Sequence, residues 1–385
     1  MKATTKRDRG FFHKLGYFFS DKEKLEPTLV IILTAIFSIV LGVGLIFLVS
    51  KDPVQSARNF VLGPFLRTYN IYYLIIVMVP LTFTGLALCI IYQLHYMSLI
   101  VDSSFYMGAV IATAIGVNMT LPAGIHPLIA MLVAGLVGGL IGVLPAILRI
   151  KWRANELVSS LMLNYVFYFL GSYIILYFLR DRNQAILASL PFKATFSLPK
   201  LIPNTQLHAG ALIAILFIVL VSVFLYKTRW GYQIRITGAN PKFAAYTGIH
   251  VASIVILAHF VSGFIGGVGG AVEMAGLYRA FIWQANPSYA WDGVIVAMLA
   301  KRNPKYVPLS AFFLAYLRVG ADFMSRRGDV AFEFVTLLQG FIILILASDK
   351  ISNSLKIRRL KKAALATEGG SRTRTTSSSM EGNSL

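Results

Sequence analysis

The chain has 385 residues, of which 57% are hydrophobic and only 14% are charged. These proportions exclude an ordinary water-soluble domain, in which about half of the residues are apolar and about a quarter are charged. The net charge of +20 does not indicate nucleic-acid binding, because the positive residues lie mostly between or outside the apolar runs. Such residues orient membrane helices, so composition predicts a multi-pass membrane protein that binds no nucleic acid.

Apolar runs of about 20 residues cross a bilayer as helices. The first run, about 28–50, follows a basic segment at 1–27 and is too long for a signal-peptide core, so we expect it to be retained. An all-α fold with about ten spans is predicted, the eighth short enough for a half-helix or a re-entrant segment. The predicted spans are 28–50, 70–92, 103–119, 125–148, 157–179, 209–227, 252–274, 290–300, 306–321 and 332–348.

Positive charge is distributed unequally about these spans. The side that holds both termini carries 25 Lys and Arg residues, and the other side carries 10. The positive-inside rule therefore places both termini in the cytoplasm. Arg326 and Arg327 fall on the side that should be poor in positive charge. The chain then divides into the basic segment 1–27, a transmembrane domain at 28–349 and a tail at 350–385, which is basic at first and then Ser/Thr-rich and disordered. The loop 228–250 is cytoplasmic and the loop 180–208 extracytoplasmic.

Glycines recur in the fourth and seventh predicted spans. GLVGGLIG at 135–142 and SGFIGGVGGA at 262–271 place small residues at helical spacing. Small residues let helix backbones approach closely in lipid. This pattern predicts packing between helices of the chain, with a dimer seam or a moving helix pair as the alternative.

Polar residues line one face of the fifth predicted span. Glu156, Ser160 and Asn164 are spaced i, i+4, i+8, and Tyr165 lies close to the same stripe. Asn155 is a good helix cap and Glu156 suits a helix N-terminus. Asn164 lies deeper than capping explains, so it is predicted to line a pathway or to hydrogen-bond another helix.

Two acidic residues flank the loop between the seventh and eighth predicted spans. Glu273 ends one and Asp292 begins the other, and both are candidates for the outer part of a substrate path. The aromatic residues between them form an interfacial belt or a surface that stacks on a planar or sugar-like ligand. These residues are Tyr278, Trp283, Tyr289 and Trp291.

The sequence TGANPKFAAYTGI at 237–249 predicts a short capped helix. Asn240 is a cap residue, Pro241 suits the first helical position, and Gly248 can close the helix. Ala244 and Ala245 would allow close approach, and the helix would expose Phe243 and Tyr246. Such a helix on a cytoplasmic loop is suited to docking in a groove of another protein.

Enzyme motifs are missing from the sequence. It has no GxxxxGK[ST] loop, no HExxH spacing and no nucleophile elbow, and Cys89 is the single cysteine. We therefore expect no catalytic residue, no metal site and no cofactor in this chain.

Three stretches together resemble a known family. RANELVSSLMLNYV, GANPKFAAYTGI and a glycine-rich span followed by WDGVIVAMLAKRNP are similar to the permease subunits of bacterial ABC importers. The similarity is to the nucleoside and simple-sugar branch, which is related to the ribose and branched-chain amino acid permeases, and it runs from about Pro80 to Ser348.

The resemblance implies a transport assembly in the bacterial cytoplasmic (inner) membrane. A second permease subunit, giving a heterodimer, would complete the path, and a substrate-binding lipoprotein would deliver a nucleoside or a related sugar-like solute. A cytoplasmic ABC ATPase would carry ATP and Mg²⁺. The loop by which the family's permeases bind the ATPase corresponds here to Gly238, Asn240, Pro241, Ala244, Ala245 and Gly248. The family's pathway motif corresponds to Asn155, Glu156, Leu163, Asn164 and Tyr165.

The chain departs from the family pattern in two places. MSLIVDSS at 97–104 stands where the family has a stretch like FNIGVEGQ and keeps only the acid Asp102, and AWDGVIVAMLAKR replaces GFDGIAVALLG. Two other classes of protein therefore stay open. One is a stand-alone ion-coupled secondary transporter with Glu273 as its ion site, and the other is a non-transporting membrane scaffold.

Overall fold

The computed structural model describes residues 22–184, 186–328, 330–331, 333–334 and 336–343. Most of the basic N-terminal segment and the tail predicted to be disordered lie outside these residues. The described part is almost wholly helical, and its only bridges between extended residues are two isolated ones, Arg180 with Ser189 and Lys200 with His208. The predicted all-α fold is confirmed.

Twelve α-helices follow one another in the described residues up to Arg327. They are α1 Lys22–Val49, α2 Pro53–Leu62, α3 Thr68–Gln93, α4 Val101–Asn118, α5 Ile125–Trp152, α6 Glu156–Ile174, α7 Gly210–Lys227, α8 Arg229–Ala239, α9 Pro241–Tyr246, α10 Val251–Leu277, α11 Tyr289–Leu299 and α12 Val307–Arg327. A π-helical turn, Ile175–Leu179, extends α6, and short 3₁₀ turns lie at Gly63–Phe65, Ala194–Phe196 and Pro304–Tyr306.

Seven helices of the described part are long and apolar enough to cross a membrane, judged by length and composition. They are α1, α3, α5, α6 with its extension, α7, α10 and α12 with the turn before it. The predicted third span is α4, a helix of 18 residues that carries Asp102, and the predicted short eighth span is the apolar helix α11. The tenth is described only as helix at 336–343, in a second compact unit that begins at Thr336. A count of ten spans is therefore not established.

The centre of the fold is α10, which packs against α3, α4 and α5. The two glycine stripes meet there: a Cβ added at Gly138 would lie 2.5 Å from the Gly263 carbonyl oxygen, and one at Gly142 would lie 3.0 Å from the Gly263 Cα. Backbones that lie this close leave no room for side chains. The glycines thus pack helices within one chain, as predicted.

The segment predicted as a cytoplasmic loop, 228–250, is more ordered than expected. Besides the predicted short helix α9 it contains α8, whose N-terminus is capped by the Thr228 hydroxyl accepting from Gly231 N at 3.2 Å. Helix α8 was not predicted, because it has no apolar run and a single cap residue such as Thr228 does not define a helix by itself.

Loop 180–208 is tied to other elements by backbone hydrogen bonds. Ser189 N donates to Phe281 O at 3.0 Å, and Phe192 N donates to Arg279 O at 2.8 Å. These bonds fix the loop against the segment between α10 and α11, so both segments are held in place over one end of the helices.

Candidate functional site

The short helix α9 is capped at its start as the sequence predicts. The Asn240 side chain accepts a hydrogen bond from Phe243 N at 3.1 Å, and Pro241 occupies the first helical position. A cap oxygen satisfies an amide that the helix leaves without a partner, and proline costs nothing where no amide is needed. The first turn is therefore fixed by local sequence.

The end of α9 is also closed locally. Gly248 has a φ of +83°, its N–H donates to Ala245 O at 3.1 Å, and Ile249 N donates to Ala244 O at 3.0 Å. This pair of bonds is the Schellman motif, which needs a left-handed residue and so favours glycine. The predicted closure by Gly248 is confirmed.

The exposed side of α9 is formed by Phe243, Ala245 and Tyr246. Tyr246 is 91% exposed and Phe243 53% exposed, which is unusual for aromatic side chains in water. Ala244 is fully buried, so the expectation that it leaves room for another protein is wrong. A Cβ on Gly238 would collide with the carbonyl of Gln93 at the end of α3. Small residues at these two positions therefore serve the chain's own packing.

One face of α6 holds the start of α4. Ser160 Oγ accepts from Leu99 N at 3.0 Å. The Asn164 carbonyl oxygen accepts from the Ser103 hydroxyl at 2.5 Å, and its amide donates to Leu99 O at 3.1 Å. Of the two roles predicted for Asn164, this geometry favours the hydrogen bond to another helix. The polar stripe of α6 thus hydrogen-bonds to part of the 97–104 stretch, which departs from the family pattern.

The buried Glu156 joins three helices at the beginning of α6. Its carboxylate accepts from Arg149 of α5 at 3.0 Å and lies 2.7 Å from Nε2 of His259 in α10. Asn155 caps the same turn by accepting from Leu157 N at 3.0 Å, as predicted. Sequence reasoning missed His259, because a single histidine in an apolar run gives no sign of its partner.

The opposite face of α6 is exposed and aromatic. Tyr165 is 63% exposed, and Phe169, Tyr173 and Tyr177 continue the face at intervals of four residues, each at least half exposed. Tyr165 therefore lies apart from the buried stripe that it adjoins in sequence. Before its last residue, Lys227, the exposed residues of α7 are aliphatic instead: Leu212, Ile215, Leu216, Val219, Leu220 and Val223.

The two acidic residues of the predicted outer path are both buried and lie near one another. Asp292 pairs with Arg318 of α12, whose guanidinium lies over the Tyr289 ring, 5.3 Å from its centroid. The Tyr289 hydroxyl donates to Glu273 at 3.4 Å. Arg318 was left without a role by the sequence, since a lone arginine within a span does not show which acid neutralises it.

The loop between α10 and α11 folds back into the protein. Asn286 donates to Asp102 of α4 at 2.6 Å. Trp283 is only 8% exposed and packs among Phe105, Tyr106 and Phe281, so the interfacial-belt interpretation is wrong for this residue. Burial, and to a smaller extent the nearby Glu273, raises the pKa of Tyr278 to about 12. Trp291 is half exposed.

Together these features define a helical membrane protein with a short exposed helix, an exposed aromatic face and a buried polar interior. Residues 70–347 match the family described as branched-chain amino acid transport system / permease component. The chain belongs to this family and is a membrane component of an ABC transporter, not an enzyme. This membership decides against the stand-alone secondary transporter.

Curated relatives cover most of the chain. The guanosine ABC transporter permease protein NupP of Bacillus subtilis is 28% identical over 86% of this chain and 98% of its own length. The glucose ABC transporter permease protein TsgB13 of Haloferax volcanii is 26% identical over 85% and 88%. A solved inward-facing ABC transporter of the metal-chelate type is 16% identical, covers 85% of this chain and 99% of that chain, and has a TM-score of 0.43.

Proposed function

We propose that this chain is one of two permease subunits of a nucleoside importer and that the aromatic face of α6 lines the path between them. The helix and its extension run over 24 residues, so Tyr165 lies about 13 Å from its start, near the middle of a core of about 30 Å. Tyrosine ordinarily lies at the membrane interface.

Three tyrosine hydroxyls support the proposal that this face contacts water or a second subunit and not lipid. Those of Tyr165, Tyr173 and Tyr177 have no hydrogen-bond partner among the described residues. A hydroxyl buried in hydrocarbon without a partner costs about 1–3 kcal/mol. A path shared with a second subunit removes that cost, whereas the aliphatic face of α7 suits lipid.

The chemistry of this face fits an uncharged solute with a planar base. Between Val158 and Phe178 the exposed side chains are aromatic or aliphatic and none is charged. Aromatic rings stack on planar groups, and relatives such as NupP are named for nucleosides. A nucleoside is therefore the proposed cargo, delivered by a substrate-binding lipoprotein.

The energy source is proposed to be a separate cytoplasmic ATPase that binds α9 and carries ATP and Mg²⁺. The sequence has no phosphate-binding loop of its own, and Phe243, Ala245 and Tyr246 offer a fixed, exposed surface. The membrane is then the bacterial inner membrane, with both termini in the cytoplasm.

Co-purification with the ATPase tests the coupling surface. Ala245→Glu and Tyr246→Ala should abolish or weaken binding about tenfold or more, because both change exposed groups without touching the caps of α9. Trp152→Ala, which removes another exposed aromatic at the end of α5, is the matched control. Unchanged binding in both α9 variants would remove α9 from the ATPase interface.

Uptake into proteoliposomes tests the cargo. With both permeases, the ATPase and the lipoprotein present, labelled guanosine should accumulate when ATP is supplied, and glucose should not. Accumulation of glucose alone would overturn the nucleoside assignment. Uptake driven by an ion gradient without ATP would overturn the ABC mechanism.

A further inference from the structure

A polar cavity lies where the start of α3 meets the end of α12, and no residue of α6 or α9 lines it. Its volume is about 340 Å³. Arg67 lines it from the cap position before α3, Asn70 and Tyr73 from α3, and Asp322 and Arg326 from α12, and Gln206 adds an amide. Arg326 is one of the two arginines that the positive-inside rule does not explain.

The charge of the lining is net positive by one unit. Arg326 donates to Asp322 at 2.8 Å, so one guanidinium is neutralised within the cavity wall. Arg67 has no carboxylate within ion-pair distance among the described residues. Among the described residues, no side chain makes a cap hydrogen bond at the N-terminus of α3, where backbone amides favour an anion. Arg67 and these amides together attract a group with a single negative charge.

Exposed apolar side chains lie just before the cavity in the chain. Leu62, Phe65 and Leu66 fall within the five residues before Arg67, and each is about half exposed. Tyr69, which also lines the cavity, is exposed to a similar extent. Arginine, tyrosine and exposed apolar side chains at a helix end are the groups that a protein places at the boundary between headgroups and acyl chains.

We propose that this cavity binds the headgroup of an anionic phospholipid. Arg67 contacts the phosphate with charge-assisted hydrogen bonds. Arg326 and Asp322 form the opposite wall of the cavity, and the exposed side chains before α3 contact the acyl chains. This site explains why Arg326 is kept on the side of the membrane that is otherwise poor in positive charge. The proposal does not depend on the identity of the cargo.

Thermal unfolding of the full-length chain in neutral detergent tests the site. Short-chain phosphatidylglycerol should raise the unfolding temperature, whereas short-chain phosphatidylcholine and inorganic phosphate should not. Arg67→Gln should raise the half-saturating concentration of phosphatidylglycerol about tenfold, and Arg326→Gln should raise it less. Arg58→Gln is the matched control, because Arg58 is exposed on the nearby helix α2 and does not line the cavity.

Each other outcome overturns the proposal. An equal response of Arg67→Gln and Arg58→Gln would show that the cavity is not the site. A response to inorganic phosphate as large as that to the lipid would make it a free-anion site. Loss of lipoprotein binding in Arg67→Gln with an unchanged lipid response would make it a protein-docking surface. The assay needs neither ATPase nor nucleoside, so its failure leaves the proposed transport function untouched.

Discussion

At the scale of single residues, the buried Glu156 contacts two basic side chains, Arg149 and His259. His259 donates from Nδ1 to Val255 O at 2.8 Å and faces the Glu156 carboxylate with Nε2 at 2.7 Å. Both neighbours of the ring are oxygen acceptors, so the contact with Glu156 needs a proton between the two side chains. Arg149 supplies a positive charge to the other carboxylate oxygen.

Glu156→Ala should therefore destabilise the protein strongly. It leaves His259 and Arg149 without their acceptor, and removal of one partner of a buried pair costs about 3–5 kcal/mol. Thermal unfolding in detergent measures the loss, with Glu333→Ala as the exposed control. If the cluster acts as a unit, adding His259→Ala costs less than it does alone. Strictly additive losses would show that the two side chains are independent.

Lys301 and Arg302, just after the end of α11, have left-handed backbone conformations that are unfavourable for residues with side chains. Both have positive φ, at 49° and 64°, and Lys301 N donates to Met298 O while Arg302 N donates to Ala297 O. These bonds form a Schellman end in which the left-handed position is Lys301 instead of glycine. A side chain in that conformation costs about 1–2 kcal/mol.

Lys301→Gly should consequently be more stable than Lys301→Ala by about 1 kcal/mol. The comparison isolates the backbone, because both variants remove the same long side chain. At Ala300, where φ is −70°, the order should reverse and Ala300→Gly should destabilise. Denaturation by heat or by a denaturing detergent measures both differences. A Lys301→Gly variant that is less stable than Lys301→Ala would show that the left-handed backbone at position 301 is not strained.

At the scale of elements, the glycine stripes decide how closely helices approach. Gly138 meets the backbone of α10, whereas Gly135 and Gly139 meet the rings of Phe264 and Phe260. Glycines on one face of α5 thus contact the backbone of α10, and glycines on a neighbouring face leave space for aromatic rings of α10. Since lipid supplies no hydrophobic drive between helices, this fit does much of the packing.

Gly138→Ala should destabilise the pair of α5 and α10. Its Cβ would lie 2.5 Å from the Gly263 carbonyl oxygen and 2.9 Å from the Gly267 Cα, and overpacking typically costs about 1–3 kcal/mol. Gly44→Ala in α1 is the matched control, because nothing lies within 4 Å of its added Cβ, and alanine favours helix there. Equal unfolding temperatures for the two variants would contradict the close approach.

The sequence predicts elements better than it predicts their partners. Apolar runs located most of the long helices, and the caps at Asn155, Asn240 and Gly248 are local enough to be identified from the sequence. The ion pair of Asp292 with Arg318 and the contact of Asn286 with Asp102 join residues far apart in the chain, so no spacing rule reveals them. Trp283 shows the same limit, because an aromatic residue in a loop looks interfacial until the loop folds inward.

At the scale of the whole molecule, the exposed faces of two long apolar helices differ in their chemistry. The exposed face of α6 is tyrosine-bearing and that of α7 is aliphatic. A lipid-facing surface has no use for hydroxyl groups at mid-span, and a path for nucleosides does. This difference predicts that the second permease subunit lies opposite the exposed face of α6. It also predicts that this face contacts water in the assembled transporter.

Cysteine labelling of the assembled transporter separates the two faces. Tyr165→Cys on α6 should react with a small, charged, water-soluble thiol reagent, because a water-filled path holds the thiolate that reacts. Leu216→Cys on α7, 54% exposed in the isolated chain, should stay unlabelled because lipid excludes the reagent. The native Cys89 is fully buried and needs no replacement. Addition of guanosine during labelling should slow the reaction at position 165 alone. Labelling at position 216 but not at 165 would place the path on α7 and reverse the assignment of the two faces.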